Sequence, residues 1–290
     1  MTAARELVHW VECPRDAWQS LPRTIPAEMK RAYLQALLDA GFRRLDLGSF
    51  VSPRAVPQMA DSDEVVSSLE RPGDAEFLCI IANERGLERA RGTANVTSVG
   101  YPLSVNETFQ RRNTGRDLES SWRLVGELVR AAEEASLELV VYLSMGFGNP
   151  YGEAWHPGVT AAAVTRLRDL GVTRIALADT VGKASADVVT SVLETVPEPG
   201  SLGLHLHARP DGWLPLMKGA WEAGVRWFEG ALSGAGGCPF AGDELVGNLP
   251  SERVLPWLAG KGELPGLRLD ALPALAERAA ELTDYGSAAH

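Results

Sequence analysis

The chain has 290 residues, of which 45% are hydrophobic, and it carries a formal net charge of -10 at pH 7. This length suits one large core, such as a single barrel of about 250 residues, and is too short for two catalytic domains of ordinary size. Acidic and basic residues are interspersed and no Lys/Arg run occurs, which argues against a nucleic-acid or anionic-membrane surface and favours small-molecule chemistry.

The cysteine content predicts a reducing compartment. Cys13, Cys79 and Cys238 are far apart and odd in number, so they predict neither a disulfide framework nor a Cys-x-x-Cys metal clip. The first residues contain no apolar leader core, and no stretch reaches the roughly 18 consecutive apolar residues that a membrane span needs. We therefore expect a soluble, cytoplasmic protein.

A repeated unit runs along the chain, in which an apolar run ends in Gly, Pro, Ser or Asp and gives way to helical periodicity. In chain order, the predicted strands are 7–13, 43–50, 76–82, 95–101, 138–144, 174–178, 202–207 and 225–231. The clearest helices between them are 27–40, 118–137, 160–170 and 213–223, and 270–282 is predicted as a further amphipathic helix. Their start and stop signals are Pro before a helix and Gly after it.

Alternation of strands and helices predicts an α/β fold with parallel pairing, and eight such units indicate a single (β/α)8 TIM barrel. A doubly wound sheet is the alternative. Against it, the first strand is followed by CPRDAWQ and not by a glycine-rich dinucleotide turn, and no P-loop occurs. We expect the barrel to span 1–265 and a C-terminal helix and tail, 266–290, to pack on it.

Polar side chains stand at or near the ends of several predicted strands, where a barrel of this class carries its active site. Asp16 follows the first strand, although an Arg/Asp pair in a surface turn is the simpler interpretation. Asp46 lies inside the apolar second strand, and Asn248 lies in LVGNLP. Asp179 follows the sixth strand, where it could simply cap the next helix.

The seventh predicted strand contains His205 and His207, two residues apart, so that both side chains point to one face of the sheet. A lone interior histidine is usually a hydrogen-bonded core residue, but two converging imidazoles favour shared ligation of a metal ion. Strands one and seven lie two positions apart around a closed barrel, so Asp16 can face the pair. Such a site suits Mg²⁺, Mn²⁺, Fe²⁺ or Zn²⁺.

A run of small residues, SGAGGCP at 233–239, follows the eighth strand and presents Cys238 in a glycine-rich turn. Little packs around such a cysteine by default. It is therefore either an incidental exposed thiol or a mobile proton donor or nucleophile.

Taken together and in this order, these segments resemble the 3-hydroxy-3-methylglutaryl-CoA lyase family of the DRE-TIM metallolyases over roughly residues 8–260. The matching motifs are PRDAWQ at 14–19, SFVSPRAVPQMADSDEV at 49–65, ADTVG at 178–182, HLH at 205–207, GAGGCPFA at 234–241 and GN at 247–248. The second and fifth are long and specific to the lyase branch. The condensing branch resembles this chain only in the barrel and the metal ligands.

The resemblance implies a divalent-metal-dependent lyase that cleaves a 3-hydroxyacyl-CoA, 3-hydroxy-3-methylglutaryl-CoA or a related compound, by retro-Claisen chemistry to an acyl-CoA and a keto acid. It implies Mg²⁺ or Mn²⁺ as the metal, an acyl-CoA as the substrate and a homodimer as the assembly. By position, the resemblance implies that the metal is bound by Asp16, His205, His207 and Asn248. It implies that Arg15 polarises the thioester carbonyl and that Asp179 and Asp46 surround the substrate hydroxyl. Cys238 would be the catalytic thiol.

The chain also departs from the family. Asp46 stands where the family has Glu, Ala208 replaces the acid that follows the histidine pair, and Val140 stands for a basic residue. With Trp18, Ser20 and Asp46 expected beside the acid end of the substrate, these changes predict an altered acyl preference, and neutral drift is the alternative. Two other functions stay open: an aldolase or Claisen-type acyltransferase, and a catalytically weak relative that binds acyl-CoA.

Overall fold

The structure is a computed structural model that describes residues 6–237 and 246–288. Within them, eight parallel strands close into one barrel in chain order, β1 to β8, with β1 paired to β8. The strands are β1 His9–Glu12, β2 Arg44–Ser49, β3 Glu76–Ile80, β4 Ser98–Ser104, β5 Glu138–Ser144, β6 Arg174–Ala178, β7 Gly203–His205 and β8 Trp227–Gly230. The predicted TIM barrel is therefore confirmed.

Helices cover the outside of the barrel, and the predicted ones are present with small shifts at their ends. The α-helices of the described residues are α1 Pro14–Trp18, α2 Ala27–Asp39, α3 Ser62–Ser67, α4 Glu84–Gly92, α5 Glu107–Thr114, α6 Leu118–Glu134, α7 Pro157–Asp169, α8 Ala186–Thr195, α9 Trp213–Glu222, α10 Ser251–Ala259 and α11 Leu272–Ser287. In the described ranges, no helix is both long and apolar enough to cross a membrane.

Several strands are shorter than predicted, and the structure shows the cause of two of the differences. β4 begins three residues later than predicted because Asn95 has a left-handed backbone (φ 71°) and its side-chain amide donates to the carbonyls of Val66 and Leu69, at 3.2 and 3.0 Å. β7 ends at His205, and His207 instead forms an isolated antiparallel bridge with Asn248. This bridge brings the segment after β8 across the mouth of the barrel.

Alternating residues of each strand serve two cores. Leu139 to Leu143 show the pattern in β5, where Val141 and Leu143 belong to the main core between sheet and helices. Val140 and Tyr142 belong to a separate apolar cluster with Leu78 and Ala176. The barrel interior is thus packed with side chains in its middle, as expected for an eight-stranded barrel.

An ionic cluster occupies the N-terminal end of the barrel, opposite the strand ends that carry the predicted site. Arg174 donates to Glu76 at 2.6 Å, and its guanidinium carbon lies 4.9 Å from the centroid of the Trp227 ring. Glu76 also accepts from Ser98 at 2.9 Å. Because these groups are largely shielded from water, the Arg174–Glu76 pair contributes more to the free energy of unfolding than an exposed pair would.

We expect Arg174→Met to lower the free energy of unfolding by about 1–3 kcal/mol, because Glu76 loses its closest cation while partly buried. Catalytic constants should not change, since the cluster lies at the other end of the barrel from the site. Arg123→Met is the matched control: its pair with Glu119 spans 3.7 Å and both side chains are more than 60% exposed. Urea unfolding of the three proteins measures the effect, and equal losses for the two variants would contradict it.

The C-terminal helix α11 packs on the barrel. Arg278 donates to the carbonyl of Ala32 at 3.2 Å, and Arg23 stacks 3.9 Å from the centroid of Tyr285. The helix runs five residues beyond its predicted end at Leu282. Its packing is as expected, while the division of the chain at 265/266 into two units stays a prediction.

Candidate metal centre and active site

A cavity of about 400 Å³ opens at the C-terminal mouth of the barrel. Its polar wall includes Arg15, Asp16, His205 and His207, and Tyr142 lines its floor side. The sequence motifs from β1 and β7 therefore meet at one cavity. Several residues of the loop after β2 and of α5 border the same space: Ser49, Val51, Ser52, Ala55, Val56, Phe109, Asn113 and Thr114.

The short helix α1 holds Arg15 and Asp16 in this cavity. Pro14 occupies its first position, where the missing N–H costs nothing and the fixed φ favours helix. Only 8% of Arg15 and 5% of Asp16 is exposed. The alternative of a surface Arg/Asp pair in a turn is thus wrong, because both residues lie in a buried helix.

Asp16, His205 and His207 converge as the spacing argument predicted. One ligand atom of each residue lies within 4.8 Å of the others. The Nε2 atoms of the two histidines are 3.3 Å apart. Gln19 donates to Asp16 Oδ1 at 2.8 Å and so restrains the carboxylate.

Asn248 provides a test of whether these residues fit a cation. Its Nδ2 donates to Asp16 and to the carbonyl of Ala235, both at 2.8 Å, while its Oδ1 is buried without a hydrogen-bond partner. A buried acceptor left without a partner costs about 1–3 kcal/mol. Two imidazole nitrogens, a carboxylate and this carbonyl oxygen form a donor set that a divalent cation would satisfy.

The chain must approach this centre closely at Gly236. Its φ is +103°, and a Cβ there would lie 2.6 Å from Asn248 Nδ2 and 2.8 Å from the carbonyl oxygen of Asp16. A larger residue would therefore displace Asn248 from Asp16. This explains one of the glycines that made the segment unusual in the sequence.

The protonation states of Asp16 and His207 also suit a metal ion. For His205, burial acts to lower the pKa, but the hydrogen bond and charge of Glu229 outweigh it and raise that pKa. Burial acts to raise the pKa of Asp16, but Arg15 and then the histidines outweigh it and hold that pKa well below its usual range. Burial, followed by the charge of His205, lowers the pKa of His207 to about 4. At neutral pH the carboxylate is therefore charged and the His207 ring neutral, which are the forms that bind metals.

Arg15 is fixed by two carboxylates. Its Nε donates to Asp46 Oδ1 and Oδ2 at 3.1 and 3.0 Å, its Nη2 also donates to Asp46, and its Nη1 donates to Asp16 at 3.1 Å. Burial raises the pKa of Asp46 to about 6 although Arg15 opposes the shift. Asp46 lies behind Arg15 and does not border the cavity.

Asp179 does not cap the next helix, as the simpler interpretation of the sequence expected, because Ser185 is the N-cap of α8 and Asp179 binds the loop before it. Its Oδ1 accepts from the backbone N–H of Lys183 at 2.9 Å and its Oδ2 from that of Ala184 at 3.0 Å. Ala178 and Thr180, not Asp179, border the cavity. Burial raises the pKa of Asp179 to about 6. Its assignment to the substrate hydroxyl stays a prediction.

Cys238 lies outside the described residues, but both ends of the segment that contains it are fixed by one side chain. Glu12 accepts from the backbone N–H of Leu232 at 2.6 Å and from the hydroxyl of Ser251 at 2.5 Å. Trp10 donates to the same carboxyl group at 3.1 Å. Burial raises the pKa of Glu12 to about 7.

The expected specificity residues divide into two groups. Val140 is buried in the barrel interior, directly beneath the cavity along β5. Trp18 faces away from the cavity, because its ring packs 5.7 Å from that of Tyr33. Neither Trp18 nor Ser20 lines the cavity.

The sequence prediction missed Glu229, which is buried in β8 and bonded to His205. The pattern that singled out Asp46, an acidic residue inside an apolar strand, is also present at Glu229 and could have identified it. Tyr142 was missed as well, because a Tyr in an apolar run is typical of ordinary core packing.

Comparison with known proteins finds relatives that match most of the chain. The HMGL-like family model matches residues 8–278. The chain is 31% identical to hydroxymethylglutaryl-CoA lyase of Pseudomonas mevalonii over 89% of this chain and 86% of that protein. It is also 31% identical to (R)-citramalyl-CoA lyase of Chloroflexus aurantiacus, over 91% and 87%.

Among solved structures, the fold is similar to an HMG-CoA lyase from Acinetobacter baumannii in complex with coenzyme A and 3-methylmalate. The TM-score is 0.88 at 30% identity, and the match covers 98% of this chain and 93% of the other.

Proposed function

Because the chain belongs to the HMGL-like family, we propose that it is a metal-dependent lyase that cleaves a carbon–carbon bond of a 3-hydroxyacyl-CoA. The products would be an acyl-CoA and a keto acid. The observation that carries the proposal is the convergence of Asp16, His205 and His207 beside the unpartnered Oδ1 of Asn248 at the mouth of a cavity.

These four residues would hold the cation, for which we propose Mg²⁺ or Mn²⁺. When bound, a divalent cation supplies a Lewis acid that lowers the pKa of a substrate hydroxyl group and orients it. The mixed nitrogen and oxygen ligands suit such ions, and no sulfur ligand is part of the proposed set.

Arg15 would bind the thioester carbonyl oxygen. When the bond between C2 and C3 breaks, its electron pair passes to C2 and charge develops on this oxygen as an enolate. A guanidinium held rigidly by Asp46 and Asp16 stabilises that charge without having to reorganise.

Two proton transfers complete the balance. The hydroxyl proton passes to a base, and C3 becomes a carbonyl. The resemblance places Asp179 and Asp46 around that hydroxyl, whereas neither carboxylate borders the cavity in the structure. C2 takes a proton, which we assign to the thiol of Cys238, and so yields the acyl-CoA.

We expect Cys238→Ala to lower kcat by about 10²-fold, the scale of a lost general acid. KM should change little, because the thiol acts on a carbon that carries charge only during the reaction. Cys79→Ala is the control, since Cys79 is a buried cysteine in the wall between barrel and helices. Steady-state kinetics of both variants measures the effect, and near-normal turnover of Cys238→Ala would contradict the role of the thiol.

The length of the acyl group is the finer part of the proposal. The two relatives act on 3-hydroxy-3-methylglutaryl-CoA and on (R)-citramalyl-CoA by their names, and the chain is 31% identical to each. Both compounds carry a 3-hydroxyl and a distal carboxylate. We therefore propose this class of branched, acid-ended 3-hydroxyacyl-CoA as the substrate.

An acyl-CoA panel, with keto acid release as the readout, tests the proposal. We expect release that EDTA abolishes and that added Mg²⁺ or Mn²⁺ restores. Release that persists in EDTA would contradict the metal. Free CoA produced only from acetyl-CoA and a keto acid would favour an acyltransferase, and binding without turnover would favour a catalytically weak relative.

We also propose a cytoplasmic homodimer. The resemblance supports the dimer, and the wide spacing of the three cysteines supports a reducing compartment. Size-exclusion chromatography with light scattering should give twice the mass of the chain. A monomer at micromolar concentration would contradict this assembly.

A further inference from the structure

Glu229 makes three contacts inside the barrel that the proposed function does not use. Its carboxylate is 1% exposed and lies 2.9 Å from His205 Nδ1, 3.2 Å from the hydroxyl of Tyr142 and 3.9 Å from the sulfur of Cys13. None of the Lys or Arg side chains in the described ranges forms an ion pair with it. The carboxylate therefore depends on hydrogen-bond donors for its stability.

The contact with His205 determines which ring nitrogen carries the proton. A carboxylate only accepts hydrogen bonds, so the short contact requires a proton on Nδ1 of His205. In the neutral ring, the lone pair then lies on Nε2, the atom that faces His207 Nε2 at 3.3 Å and shares the cluster with Asp16. In water, a neutral imidazole is free to adopt the other tautomer, which offers no lone pair there.

We propose that Glu229 is a positioning residue that holds His205 in the tautomer and orientation that bind the metal ion. The inference rests on the proposed metal-dependent function and assigns a role to a residue outside the ligand set. Outer partners of this kind fix ligand geometry and raise ligand basicity. Tyr142 and Cys13 contribute by fixing the carboxylate itself.

A second grouping of Cys13, His205 and Glu229 also has the spacing of a metal site. The geometry favours a hydrogen-bonded cluster there, because the thiol of Cys13 also reaches the carbonyl oxygen of Val11 at 3.6 Å and thus behaves as a donor. Burial and the nearby carboxylates raise the pKa of this thiol, which disfavours a thiolate ligand. His205 therefore presents Nδ1 to Glu229 and Nε2 to the metal site.

The first test is the affinity of the purified, EDTA-treated full chain for Mn²⁺, measured by electron paramagnetic resonance of the free ion. We expect Glu229→Gln to bind Mn²⁺ about 10- to 100-fold more weakly than the wild type. Glu76→Gln is the control, since Glu76 is a partly buried carboxylate that accepts from Arg174 and Ser98 at the opposite end of the barrel. Its affinity should be unchanged.

The second test separates positioning from loss of negative charge and needs neither metal nor activity. Nitrogen-15 NMR of the metal-free wild type, at a pH where the ring is neutral, should give His205 the shifts of an Nδ1–H tautomer. Glu229→Leu, which has no acceptor, should shift it toward Nε2–H. An Nε2–H tautomer in the wild type would overturn the inference even if the variant fails to fold. So would Mn²⁺ affinity of Glu229→Gln within threefold of the wild type.

The two proposals can fail separately. If the wild type itself does not bind Mn²⁺ or Mg²⁺, the proposed function fails. If the wild type binds and the variant binds equally well, only the role of Glu229 fails.

Discussion

Asp16→Asn is expected to lower kcat by about 10³-fold, equivalent to about 4 kcal/mol of transition-state stabilisation. The amide has nearly the shape of the carboxylate but carries no charge, so the site loses its one anionic ligand. It also places an NH₂ group opposite either Arg15 Nη1 or Asn248 Nδ2, which both donate to Asp16. The cation and the ordered amide of Asn248 should therefore be lost together.

Kinetics over a range of Mn²⁺ concentrations, with metal content measured on the same samples, checks this expectation. Asp117→Asn is the matched control, because Asp117 caps α6 at the surface and Asn caps a helix equally well. The control should keep full activity. If Asp16→Asn retained a tenth of wild-type kcat at saturating Mn²⁺, Asp16 would not be a ligand.

Arg15→Lys is expected to lower kcat by about 10²- to 10³-fold although the charge is kept. One guanidinium now donates to both oxygens of Asp46 and to Asp16. A single ammonium cannot reproduce that fork, so the charge moves away from the thioester oxygen and Asp46 loses paired hydrogen bonds. KM should rise less than kcat falls, since the charge on that oxygen grows in the transition state.

A double-mutant cycle with Asp46→Asn tests the argument further. If Asp46 acts through Arg15, the double variant should be little worse than Arg15→Lys alone. Arg166→Lys serves as control, because Arg166 stacks 4.3 Å from the centroid of Trp122 on the outside of the barrel. Additive losses in the cycle would mean that Asp46 contacts the substrate independently.

Much of the fold could be predicted because each strand is punctuated by turn residues and each helix by its own periodicity. The bounds of β5 and β6 agree with the prediction to the residue. β4 could not be placed correctly, because its start depends on hydrogen bonds from Asn95 to residues nearly 30 positions earlier in the chain. Local propensity carries no information about such partners.

The candidate site shows a similar limit. The pairing of His205 and His207 follows from a period of two residues, and that part of the prediction needs only local geometry. The orientation of Asp179 could not be predicted from the sequence. A shift of one residue at the end of a strand decides whether a side chain faces the cavity or binds the loop that follows. Glu229 could be recognised only with its neighbours, since its meaning comes from contacts with β1, β5 and β7.

Glu12 has a consequence for engineering. Glu12 binds Leu232 at one end of the segment and Ser251 at the other. These two hydrogen bonds hold the ends of the segment together, and they do not depend on the amino-acid sequence between them. The entropic cost of holding the two ends together is offset by contacts with the barrel and not by contacts within the segment. The segment with Cys238 should therefore behave as an exchangeable cassette between relatives, provided that Glu12, Gly236 and Asn248 are kept.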